Sequence, residues 1–124
     1  MRILTKDTLV DTQGVRITKI SVSSRHIAAK ARPGQFVVLM KDETSERIPL
    51  TVVDTDKTAG TVTLIFQELG FSTKRFGMMQ AGDSFYAVVG PLGHATEIKN
   101  YGSIILVGGG VGIAEILPVA RALK

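Results

Sequence analysis

Apolar residues in the first hundred positions come in short clusters that alternate with polar ones, and turn-forming residues separate the clusters. That period of two is the mark of half-buried strands. Val15, Ile17, Ile20 and Val22 fall in one such stretch. Phe36 to Met40 is a continuous apolar run entered through Pro33-Gly34. Leu50 to Val53 leads into the turn-rich DTDKTAG, and Thr61 to Gln67 follows with Val62, Leu64 and Phe66 alternating against Thr61, Thr63 and Ile65. The pattern predicts that these last two strands pair as a hairpin. A further strand is expected over Phe85 to Val89, stopped by Gly90-Pro91-Leu92-Gly93.

Two segments carry helical spacing instead. One is short and ends at Met79, with Ser72 or Thr73 as the hydroxyl that accepts a bond from the unpaired first amides. The other runs from about Val111 to Leu123, with Ile113, Ile116, Leu117, Ala120 and Leu123 on one face and Pro118 inside. The fold expected is mainly β: a small antiparallel six-stranded Greek-key barrel with one short helix. From Ser103 the pattern changes to strand, glycine turn and helix, which is how a nucleotide-binding βα unit opens. The boundary is placed near Asn100 to Gly102, giving a barrel domain over residues 1–100 and a first strand and helix of an incomplete nucleotide-binding domain over 101–124. No internal repeat is evident.

Composition removes several kinds of chemistry. In 124 residues, 44% hydrophobic and 21% charged, there is no cysteine and there are two histidines, far apart. Disulfides, thiolate catalysis and cysteine-ligated metals are excluded, and no metal site is expected. The net charge of +4 is spread along the chain, Trp is absent, and 6% of residues are aromatic. A stacking surface for single-stranded nucleic acid is therefore poorly supplied, whereas a mild positive excess suits a phosphate-bearing ligand or an acidic partner. No apolar run approaches the roughly 20 residues that span a bilayer. The N-terminal MRILTKDTLV is too interrupted by charge for a signal peptide, so a cytoplasmic location is expected.

Three segments hold side chains suited to a phosphate ligand. In "ERIPLTVVD" (46–54), Arg47 offers a planar cationic fork, Pro49 a flat ring and Thr51 a hydroxyl on the same strand face. The same residues also suit an edge strand with a proline at its start. In "ELGFSTKRF" (68–76), Gly70 permits close backbone approach, and Ser72 and Thr73 stand at a helix start where free amides and the dipole attract anions. A capped surface helix would look alike. In "GGGVGIAE", Gly108, Gly109, Gly110 and Gly112 can bring amides near a diphosphate. The spacing is not G-x-G-x-x-G, because Ile113 or Glu115 occupies the sixth position.

Taken in order, "RPGQFVVL", "RIPLT", "LIFQELGFSTK", "VGPLG" and "ILVGGGVGIA" resemble the ferredoxin–NADP reductase superfamily over nearly the whole chain. The match is nearest its electron-transfer branch: the subunit associated with dihydroorotate dehydrogenase, and the small subunit of sulfide dehydrogenase or NADH-dependent ferredoxin:NADP oxidoreductase. The resemblance implies an FAD-binding oxidoreductase domain. Arg47 would contact the flavin diphosphate, Pro49 and Leu50 would lie along the flavin, and Thr51 would approach its reactive edge. Ile65, Phe66 and Gln67 would flank the cofactor, and Gly70, Ser72 and Thr73 would bind its phosphates. Hydride would pass between NAD(P)H and the flavin, and electrons would leave toward an iron–sulfur centre or ferredoxin through a larger subunit. Three departures stand out: the nicotinamide-binding domain is truncated after one βα unit, the family's [2Fe–2S] cysteines are missing, and Glu115 replaces a common proline. The fragment is therefore expected to be inactive alone, with its apolar C-terminal stub packing on the barrel or pairing two copies. The opposing reading is a regulatory or assembly barrel that holds no flavin and docks on a partner.

Overall fold

The computed structural model describes residues 1–124, and its strands gather into two antiparallel sheets. In chain order the elements are β1 (Ile3–Thr12), β2 (Val15–Ser23), α1 (Arg25–Lys30), β3 (Phe36–Met40), β4 (Ile48–Thr51), β5 (Asp54–Asp56), β6 (Thr61–Gln67), α2 (Phe71–Met78), β7 (Ala87–Leu92) and α3 (Gly112–Leu123). One sheet has the order β1-β2-β6-β5 and the other β4-β3-β7. Seven strands in two sheets replace the expected six-stranded cylinder, and the hydrogen-bonded ladders do not close.

The reason lies at Val52-Val53. The Val52 amide donates to the Gln35 carbonyl beside β3 at 3.1 Å, while the next amide, of Val53, donates to Thr63 of β6 at 3.0 Å. Both side chains are buried. Consecutive buried residues break the period of two and mark a corner where the chain leaves one sheet for the other. The expected hairpin is thereby corrected. Leu50 belongs to β4 and pairs with Val37, and it is β5 that pairs with β6 through Thr55 and Val62.

Between the sheets lies one core. Ile20 and Val22 of β2, Val37 and Leu39 of β3, and Val62, Leu64 and Phe66 of β6 alternate inward. Ile27 and Ala28 of α1 cover one end of it, and Phe76 of α2 another. Phe76 meets Phe66 and Phe85 edge-on, with centroids 6.0 and 5.1 Å apart, which is the favoured geometry for aromatic pairs. α1 begins at Ser24, whose hydroxyl accepts from the Ile27 amide.

Two expected boundaries move. β7 runs on through Gly90 and Pro91 to Leu92 rather than stopping at Val89. Residues 103–107 form no strand, and Ile105 and Val107 stay 89% and 85% exposed. A strand needs a neighbour for its amides and carbonyls, and this segment pairs with none of the seven strands. α3 forms as expected and lies beside β5, where Arg121 pairs with Asp54 at 3.4 Å. A cavity of about 300 Å³ lined by Ala31, Pro33, Val52, Pro118 and Ala122 remains between them. No residue of α3 is buried.

Candidate functional site

β3 is apolar on both faces, and the inward face accounts for only Val37 and Leu39. Phe36, Val38 and Met40 therefore point away from the core. Register across the sheet sets Val38 between Pro49 and Val89, Phe36 between Thr51 and Leu92, and Met40 beside Ala87 of β7. Leu39 pairs with Ile48, which brings Arg47 next to Met40 at the end of β4. The outcome is an apolar outer face with a guanidinium at one end and a hydroxyl at the other. Four residues of strand separate these two groups, roughly 13 Å. A groove of about 290 Å³ on this face is lined by Val38, Met40, Arg47, Val89 and Leu92. A sheet face this apolar and open to solvent marks a surface that takes a ligand or a partner.

Alternation along β4 sorts the expected site residues. Pro49 and Thr51 share the outer face with Arg47, whereas Leu50 turns inward and packs on the core with Ile48. Leu50 thus does not lie along the outer surface as the resemblance implied. On β6, Ile65 and Gln67 are half-buried and face outward, and Phe66 is a core residue, 2% exposed. Its side chain is committed to Phe76 and cannot flank a ligand on the opposite face.

The second group gathers at the start of α2. Gly70 is the N-cap, and Thr73, in the first turn, accepts at its hydroxyl from the amides of Leu69 and Gly70 at 3.0 and 3.1 Å. Thr73 therefore closes a capping-box-like return bond and is not itself the cap. The amides of Phe71, Ser72 and Thr73 have no preceding turn to bond to, so they present partial positive charge outward. Ser72 Oγ donates to Glu46 Oε2 at 2.6 Å. This contact brings the approach to β4 and the first turn of α2 side by side, with Arg47 one residue along. The Glu46 carboxylate thus contacts a hydroxyl of the first turn, while the amides of that turn remain without a side-chain partner.

Loop 42–46 is tied to α2 a second time by Arg75, which donates to Asp42 Oδ2 at 2.8 Å. That bond, together with the nearby guanidinium charge and the Thr44 hydroxyl, holds the Asp42 carboxyl below its usual range of about 3.8. Arg75 also lies over the Phe71 ring at 5.3 Å. On its inner side α2 rests on Glu68, whose carboxylate is 8% exposed, accepts from Thr18 Oγ1 at 2.7 Å and pairs with Arg16 at 3.4 Å. A Cβ on Gly77 would collide with this carboxylate, which explains a glycine in the last turn of the helix.

The glycine segment stands apart from both groups. A Cβ on Gly108 would come within 2.9 Å of Ile116 Cδ1, and Gly110 has φ +57, so these two have steric reasons to be glycine. Gly109 and Gly112 face open space and have none. The amides of Gly112 and Ile113 bond back to Gly109 and Gly110 within the turn.

Sequence reading overlooked Phe36, Val38, Met40, Val89 and Leu92 as an outward surface, and Glu46 as a contact of Ser72. A signal was present for the first set, because five apolar residues in a row cannot all face one core. None was present for Glu46, since loop partners 26 positions apart leave no periodic trace.

No family model matches the chain. Over 103 residues it is 48% identical to the "dihydroorotate dehydrogenase B (NAD(+)), electron transfer subunit homolog" of Thermotoga maritima, covering 83% of this chain and 36% of that protein. Over 96 residues it is 34% identical to the electron transfer subunit of dihydroorotate dehydrogenase B from Caldanaerobacter subterraneus, covering 77% and 38%. The chain thus spans little more than a third of the length of these curated relatives. Among solved structures, one reported for NADH-dependent reduced ferredoxin-NADP oxidoreductase, in the context of flavin-based electron bifurcation, superposes with a TM-score of 0.92 at 41% identity, over 98% of this chain and 43% of that one. Ferredoxin-NADP+ reductase from Plasmodium falciparum shares the fold, with a TM-score of 0.77 at 12% identity, over 98% of this chain and 51% of that one.

Proposed function

From its kinship with the electron-transfer branch of the ferredoxin–NADP reductase superfamily, we propose that this chain is the FAD-binding portion of a flavoprotein reductase. In this reading it passes electrons between NAD(P)H and an iron–sulfur centre or ferredoxin through a larger subunit. The observation that carries it is the Glu46–Ser72 contact, which ties the residue before Arg47 to the first turn of α2, together with the apolar outer face whose groove Arg47 itself lines.

Each residue then has a physical task. Arg47 would hold the diphosphate through charge-assisted bonds, and the free amides of Phe71, Ser72 and Thr73 would share that charge. Pro49, Val38 and Val89 would exclude water from one side of a planar ring. Thr51, at the far end of β4, would place its hydroxyl at the ring's edge, while Ile65 and Gln67 would border it from β6. FAD, when bound, supplies the hydride and single-electron chemistry, and the protein supplies position and electrostatics. No nucleophile or general base is required of this chain, and with no cysteine it offers no ligand to an iron–sulfur cluster. Residues 101–124 are read as the opening of a nicotinamide-binding domain, its helix formed and its strand segment unpaired, with Gly108, Gly109, Gly110 and Gly112 as the turn that would approach a dinucleotide. The exposed Ile105 and Val107 would be covered by the rest of such a domain or by a partner subunit.

The visible spectrum of the protein mixed with FAD and freed of unbound cofactor tests this. Flavin bands that co-elute with the chain, with FAD released on denaturation, are expected. A colourless protein after reconstitution favours the assembly-module alternative and ends the flavin reading.

A further inference from the structure

We infer that Glu46 is an internal competitor for the anion position at the start of α2 and thereby sets how tightly a flavin diphosphate is held. This inference rests on the FAD reading above. The Glu46 carboxylate accepts from Ser72 Oγ at 2.6 Å, on a side chain of the first turn of the helix whose leading amides carry partial positive charge. Thr73 cannot take over the role, because its hydroxyl is engaged by the Leu69 and Gly70 amides.

The contact is also easily released. Glu46 is exposed and forms no salt bridge, and the one hydroxyl holds its side chain. The adjoining cavity of about 490 Å³, lined by Asp42, Glu43, Glu46, Phe71, Ser72 and Arg75, gives the carboxylate room to swing aside. Asp42 is neutralised by Arg75 and Glu43 bonds to nothing, so Glu46 is the carboxylate of this loop that reaches the helix start. A diphosphate arriving there must displace a like charge a few ångströms away. With Glu46 on it, the Ser72 hydroxyl keeps a partner without cofactor, and the carboxylate favours release of the cofactor once it is bound.

Titration of the full chain with FAD, followed by quenching of flavin fluorescence, tests this with Glu46→Gln and Glu43→Gln against the unaltered protein. Glu46→Gln is expected to lower the Kd for FAD roughly tenfold, the scale of one unit charge removed near the ligand at partial screening. The same variant should leave the Kd for riboflavin, which has no phosphate, unchanged, and Glu43→Gln should shift the FAD Kd less than about twofold. Equal or weaker FAD binding by Glu46→Gln would overturn the inference while leaving the FAD reading intact. Tightening of riboflavin as well, or an equal gain from Glu43→Gln, would overturn it too, because the effect would then not act through the phosphate at this position. No FAD binding by any of the proteins would remove the FAD reading and this inference together.

Discussion

Replacing Arg47 with alanine is expected to raise the Kd for FAD roughly ten- to a hundredfold, corresponding to about 1.5–3 kcal/mol for a hydrogen bond to a charged group. The fold itself should not notice. Arg47 is exposed, takes part in no salt bridge and stands outside the core cluster, so its loss leaves no buried partner unpaired. Binding and melting should therefore separate cleanly, with weakened cofactor retention at an unchanged melting temperature. Arg47→Lys restores the charge but not the planar fork and should recover only part of the affinity. Calorimetric titration measures both variants, and wild-type affinity in Arg47→Ala would remove this residue from the site.

Truncation of Phe76 acts through the opposite link. Its ring is 2% exposed and fills the space between Phe66 and Phe85, so Phe76→Ala leaves a cavity that neighbouring strands cannot close. Such changes cost about 3–5 kcal/mol, which for a domain of this size lowers the melting temperature on the order of 10–20 °C. Because Phe76 is the residue that roots α2 in the core, its loss should also weaken whatever the first turn of α2 binds. Phe76→Leu keeps most of the volume and should lose less than half as much. Thermal denaturation followed by circular dichroism decides the matter, and a fall of only a degree or two would mean that α2 is held by its surface contacts instead. Those contacts are the Asp42–Arg75 and Glu46–Ser72 pairs and the bond that Lys6 Nζ donates to the Gly77 carbonyl.

Much of this arrangement was legible in the residues. β3 and β6 emerged with their observed ends because Phe36–Met40 is bounded by turn residues and Thr61–Gln67 alternates cleanly. α3 emerged because its apolar side recurs every three to four positions. β1 was not legible, since most of its residues are exposed and two register shifts interrupt its pairing with β2. α1 was hidden by its six-residue length, although Ser24 is an ordinary cap. The corner at Val52-Val53 read as the end of one strand because sequence pattern reports burial and not which sheet supplies the hydrogen bond. At the site, residue types were readable and their facing was mixed. Arg47, Pro49 and Thr51 share a side as period two requires, while Leu50 and Phe66 belong to the core by the same rule. For Ser72, expected at a phosphate, the structure shows a hydrogen bond to Glu46 of its own chain, a contact with no trace in the sequence pattern.

Amide chemical-shift mapping of the labelled chain during addition of FAD addresses the central claim most directly. The account predicts that the amides of Arg47, Ile48, Leu50 and Thr51 and of residues 70–73 shift together, saturating at one FAD per chain, with Ile65 and Gln67 following and α3 largely still. Shifts confined to the cavity between α3 and Val52–Thr55, or scattered without saturation, would contradict it.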